Sequence, residues 1–172
     1  MPAQDVTKCM LAKALEELSH HESFDRISVA ELARQAHVNR KTFYYHFNDK
    51  YDLLGWCLDQ AFLAELGGQK EPKDFWSFYT LLLSSLNNYK GFCRNVFLSD
   101  DRVYFNKILR QFLWRYIVRY VPRKQVTVKD KYDECIGLLC ATFAVSLEEW
   151  IVHWPNLSCE DLIEISRFDK IV

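Results

Sequence analysis

Six side chains able to donate or accept hydrogen bonds crowd one short stretch: Arg40, Lys41, Thr42, Tyr44, Tyr45 and His46, broken only by Phe43. On a helix turning about 100° per residue, Phe43 and Phe47 share a face and plug it onto a core. Lys41, Thr42 and Tyr45 then point the opposite way, with Lys41 and Tyr45 stacked four apart. His46 lies beside Thr42, and Arg40 and Tyr44 flank the inward face. Lysine donates to guanine O6 or N7, the threonine methyl touches thymine, and tyrosine reaches phosphate or a base edge. This is chemistry for reading the major groove of double-stranded DNA. The N–H groups and hydroxyl at Ser28, and Lys50 at the start of the next helix, add two handles for phosphate.

Such side chains need a short helix that is firmly held. Ser28-Val29-Ala30-Glu31 reads as a capping box opening a helix to about Ala36, with Val29, Leu32, Ala33 and Ala36 inward. His37 and Val38 make a turn, and Asn39 caps the helix that ends near Phe47. Upstream, from about Asp5 to His21, apolar residues recur every three or four positions, so a first amphipathic helix precedes the pair. Helix, turn and helix have the length of a DNA-reading helix-turn-helix. Five basic residues against two acids lie between Arg26 and Lys50, in a chain whose net charge is −1. The same layout also occurs in helical bundles that bind no DNA.

Downstream, Asn48 or Asp49 caps a fourth helix that Gly67-Gly68 breaks. A fifth spans roughly 74–89 and stops at Gly91, an aromatic piece covers 92–98, and Ser99-Asp100-Asp101 caps a long helix to Val121. A further stripe runs from Val128 to Trp154, and Ser158 caps a last helix through about Lys170. With five glycines, four prolines and no strand-period segment, the chain is expected to be all-α. Residues 1–50 form one unit, the helix-turn-helix, and residues 51–172 a helical bundle.

The stretch ISVAELARQAHVNRKTFYYHFNDKYDLL resembles the DNA-binding signature of the TetR family, notably VNRKTFYYHF with a lysine three residues after the phenylalanine. The likeness covers about residues 5–55. It implies a TetR-like fold, an N-terminal three-helix domain followed by a helical bundle, and a homodimer on a near-palindromic operator. It places DNA contacts on Ser28, Asn39, Arg40, Lys41, Thr42, Tyr44, Tyr45, His46 and Lys50. Lys41 stands where many relatives have glycine, so their operators do not transfer. FNDKYDLLGW and the late EEW are similar to the branch containing regulators of dihydroxyacetone-kinase operons. The family likeness implies that the last two helices meet a second subunit, which puts Leu147 and Trp150 at the interface. The aromatic middle, with Trp76, Phe105 and Phe112, is left to surround an effector pocket away from the DNA-binding helices. The expected protein is a ligand-responsive repressor; the alternative is a regulator switched by a protein partner, including an activator.

Other chemistries lack their residues. Outside the first 50 positions His153 is the lone histidine, and no P-loop or dinucleotide glycine fingerprint exists, so no catalytic residue and no enzyme is expected. His20 and His21 diverge by about 100° on a helix and cannot chelate together, so neither metal nor cofactor is expected. Six cysteines without a CxxC read as reduced thiols. No signal-peptide core and no run of eighteen apolar residues occur, which points to a cytoplasmic protein without membrane partners. From Arg102 to Lys129 there are eight basic residues and no acid. That stretch is either a solvated face or a dock for an acidic protein or anionic effector.

Overall fold

The computed structural model describes residues 3–67, 71–125 and 129–167, and every regular element among them is helical. The chain runs through α1 (Ala3–Ser19), a 3-10 turn (Phe24–Arg26), α2 (Val29–Gln35), α3 (Arg40–His46) and α4 (Lys50–Leu66). It continues through α5 (Phe75–Asn88), α6 (Lys90–Leu98), α7 (Arg102–Tyr120), α8 (Tyr132–Val152) and α9 (Cys159–Ser166), with short 3-10 turns between α7 and α8. Gly68, Val128 and the expected end of the last helix at Lys170 lie outside the described residues.

Local chemistry sets most boundaries. Asp49, not Asn48, caps α4, accepting from the N–H groups of Tyr51 and Asp52 at 2.9 and 2.8 Å. Asp74 and Ser158 do the same for α5 and α9. Gly67, at φ 57°, closes α4 in the left-handed conformation that glycine adopts without strain. Gly91 stops nothing. It lies inside α6, and the chain bends at Tyr89, where α5 ends and α6 begins.

One continuous apolar core fills the molecule. Leu11 and Leu15 of α1, Phe24, Ile27, Leu32 and Phe43 are fully buried beneath the first three helices. In the bundle, Phe62 of α4 meets Phe78 of α5 and Phe112 of α7, each with ring centroids 5.5 Å apart. Phe112, expected to line an effector pocket, is a fully buried packing residue between these rings.

The helix pair α7 and α8 carries the bundle, with α6 against α8. Leu147 and Trp150 of α8, expected to face a second subunit, are wholly enclosed in their own. The Trp150 indole donates to Leu157 O at 2.8 Å, and the Lys90 ammonium lies 4.1 Å from its ring centroid. The outer side of α8 instead exposes Leu138 (70%), Leu139 and Val145 (55%). At 21 residues and a mean hydropathy of 1.7, α8 is long and apolar enough to cross a membrane. Its Ile136, Cys140, Ala144, Leu147 and Ile151 are nonetheless core residues here.

Candidate nucleic-acid interface

The two helices of the reading unit are fixed by bonds between near neighbours. Ser28 Oγ accepts from Glu31 N at 3.2 Å, while the Ser28 N–H donates to Glu31 Oε2 at 3.0 Å, completing a capping box on α2. Past α2, His37 takes φ 54°, Val38 N donates to Ala33 O at 2.9 Å, and His37 N donates to Arg34 O at 3.1 Å. This is a Schellman closure with histidine where glycine is usual. Asn39 Oδ1 then accepts from Thr42 N at 2.8 Å and starts α3.

Phe43 and Phe47, with ring centroids 5.9 Å apart, seat α3 on the core. Its other side turns Arg40, Lys41, Tyr44 and Tyr45 to solvent, and Tyr45 is 71% exposed. Thr42 and His46 are half-buried between these faces, and the His46 ring lies 5.0 Å from that of Tyr45. Arg26 and Arg34 are exposed on the same small unit.

Three residues read as DNA contacts have other work in this structure. The Ser28 hydroxyl also donates to Glu31 Oε2 at 2.6 Å, so both its handles hold the chain's own carboxylate. The bond from that hydroxyl keeps the Glu31 carboxyl below its ordinary range. Asn39 spends its side-chain oxygen on the α3 cap, where Thr42 Oγ1 joins at 3.1 Å. Lys50 is turned inward, its side chain 12% exposed. Its ammonium donates to Phe24 O and Asp25 O, both at 2.9 Å, and pairs with Asp101 Oδ2 at 2.8 Å. In this arrangement the ammonium is held by the chain's own carbonyls and carboxylate.

Two positioning residues escaped the sequence reading. Asp101, at the start of α7, makes no side-chain cap bond; it takes Lys50 and the Tyr51 hydroxyl, which donates to it at 2.9 Å. Asn95 of α6 donates to Ser19 O and Glu22 O at 2.8 and 2.9 Å and accepts from Phe24 N at 2.9 Å. Asn95 fastens α6 to the end of α1 and the 3-10 turn, and Asp101 fastens α7 to the start of α4. Their partners stand about 50 to 76 residues away, so no local spacing announces them.

The expected effector residues part company. A cavity of about 320 Å³ opens between α1, α4 and α6, beside the DNA-binding helices, and Phe105 reaches it. Trp76 does not line it but lies half-buried with the Arg167 guanidinium 5.1 Å from its ring. On the basic stretch, Arg115 holds Asp59 at 2.6 and 3.2 Å, Arg119 holds Glu71, and Arg123 approaches Asp133 at 3.4 Å. Much of its charge is thus used within the chain.

A capped helix pair with a cationic, tyrosine-bearing outer face defines a helix-turn-helix unit. Residues 11–55 match the family model of bacterial regulatory proteins, tetR family, and this segment is a TetR-family helix-turn-helix. The chain is 26% identical over 95 residues to the HTH-type dhaKLM operon transcriptional activator DhaS of Lactococcus lactis subsp. lactis (strain IL1403). That match covers 55% of this chain and 51% of the relative, about half its length. The fold is also that of a solved structure, a dihydroxyacetone kinase operon activator DhaS. Its TM-score is 0.58 and its identity 19%, over 96% of this chain and 93% of that one. These similar proteins are transcription regulators, not enzymes.

Proposed function

We propose that the chain is a sequence-specific DNA-binding transcription regulator that acts in the cytoplasm as a homodimer on a near-palindromic operator. The observation that carries this reading is the solvent face of α3, where Arg40, Lys41, Tyr44 and Tyr45 stand together on a helix fixed at both ends. Residues 1–50 supply the reading head and residues 51–172 the bundle that pairs two copies. The exposed Leu138, Leu139 and Val145 of α8, with Ile165 of α9, support pairing through the last two helices. Each such side chain left in water forgoes about 1.5–3 kcal/mol of burial. The word activator in both relatives' names favours activation over repression. A small-molecule effector is favoured over a protein partner by the apolar cleft of about 320 Å³ between α1, α4 and α6, and by Arg115 and Arg119 of α7 being tied to Asp59 and Glu71.

Selection of duplexes from a random pool by the full-length protein tests this. The expected result is enrichment of a two-fold symmetric site bound far more tightly than competitor DNA. Recovery of no preferred sequence, with affinity governed by salt alone, overturns it.

A further inference from the structure

The 3-10 turn Phe24–Arg26 leads into α2, and it is held from two sides. From α6, the Asn95 amide accepts from the Phe24 N–H at 2.9 Å and donates to Ser19 O and Glu22 O at 2.8 and 2.9 Å. From the start of α4, the Lys50 ammonium donates to Phe24 O and Asp25 O, both at 2.9 Å, and is itself held by Asp101 of α7. Both backbone polar groups of Phe24 are thus tied to residues outside the first three helices, and its ring is fully buried. An asparagine amide has a carbonyl acceptor and two N–H donors, and here each is spent on main chain. Ser19 O, Glu22 O and Phe24 N take no backbone partner among the described residues, so Asn95 satisfies groups that are costly to leave unpaired. Its own helix is firmly seated. Cys93, Val96 and Phe97, around Asn95, are buried, and α6 packs on α8.

We propose that Asn95 is a positioning residue that sets which half-site spacing the protein accepts, by fixing the Phe24 turn, and with it α2 and α3, against the bundle. The spacing role rests on the dimeric regulator reading above; the grip on Phe24 does not. A dimer must lay two α3 helices in successive major grooves, roughly 34 Å apart, while neighbouring base pairs are about 3.4 Å apart. A reading head that rocks by one such step accepts two adjacent spacings equally well. The bonds of Asn95 all end on the chain before α2, so they govern this rocking without touching the outer face of α3.

The test compares the full-length protein with Asn95→Leu and Asn95→Asp, which match asparagine in size and lack its donors. Each is titrated with duplexes carrying the selected half-site once, or twice at its preferred gap and at gaps one or two base pairs shorter or longer. The wild type is expected to lose about tenfold in affinity per base pair of displacement, and the variants about threefold or less, with single half-site affinity kept within about twofold. The Phe24 amide is expected to exchange hydrogen about tenfold faster in both variants than in the wild type. An undiminished spacing preference in a folded variant overturns the proposal. So does a single half-site affinity that falls in step with the paired one, which would make Asn95 a support of the reading unit alone. If neither variant folds, the wild type decides: an unprotected Phe24 amide overturns the grip, and indifference to spacing overturns its role. Failure of the wild type to select any DNA overturns the regulator reading and the spacing role with it, and leaves Phe24 exchange to judge the grip.

Discussion

The ammonium of Lys50 lies 2.8 Å from the carboxylate of Asp101, joining the first residue of α4 to the cap position of α7. Both side chains are nearly enclosed, 12% and 14% exposed, and the Tyr51 hydroxyl donates to the same carboxylate. Burial first, and that carboxylate second, push the Tyr51 hydroxyl well above the ordinary phenol range. The Tyr51 ring in turn stacks on Tyr104 of α7 at 4.6 Å. The start of α4 is thus bolted to α7 through charge, hydrogen bond and ring contact.

Lys50→Met keeps the aliphatic stem and removes the charge, stranding Asp101. A loss of about 2–3 kcal/mol is expected, less than the roughly 3–5 kcal/mol of a fully dry pair because both groups retain some water. Urea denaturation measures it. Operator binding weakens as well, but the slope of log affinity against log salt stays the same. A slope reduced by about 1 instead identifies Lys50 as a phosphate ligand.

Lys41→Ala and Tyr45→Ala remove the two most outward groups stacked on α3. Each is expected to cost about 1–3 kcal/mol of operator binding and to relax preference at one or two base positions. Stability barely changes, since both side chains are exposed. Titration of operator and scrambled duplexes side by side measures the effect. Equal losses on both duplexes would show these residues hold phosphate instead of reading bases.

Leu147→Glu and Leu138→Glu separate core from interface on α8. The first buries an unpaired charge in its own subunit and is expected to unfold the protein. The second leaves helicity and melting of the subunit intact but converts dimer to monomer in light scattering at micromolar concentration. A dimer that survives Leu138→Glu, Leu139→Glu and Val145→Glu in one chain places the interface elsewhere.

What the sequence made legible was local. The bonds from Ser28 to Glu31 and from Asn39 to Thr42 join residues three apart, and Phe43 with Phe47 is one turn of helix. Period and cap chemistry read such relations directly. The intrachain partners of Lys50 were not legible because they lie 25 and 26 residues back and on α7, where Asp101 looked like an ordinary cap. Leu147 and Trp150 failed for a different reason. A helix apolar nearly all round does not say which side its own subunit takes and which is left for a second one. Gly91 misled as a breaker because a glycine inside a helix is merely unfavourable, and the flanking Phe92, Cys93 and Val96 pack well enough to carry it.

His37 offers the last test, because it holds the turn between α2 and α3 in a conformation costly to any residue with a Cβ. Its backbone bond to Arg34 and that of Val38 to Ala33 are kept by any residue adopting φ 54°. His37→Gly removes the Cβ penalty, offset partly by the greater freedom of the unfolded glycine, for a net gain of roughly 0.5–1 kcal/mol. His37→Val adds β-branching at a positive φ and is expected to lose about 1–2 kcal/mol or more. Denaturation midpoints at an unchanged slope measure both. Operator affinity should follow neither gain nor loss while the protein stays folded, since the turn geometry is common to all three chains. Equal midpoints for the glycine and valine variants would mean that this turn is not left-handed.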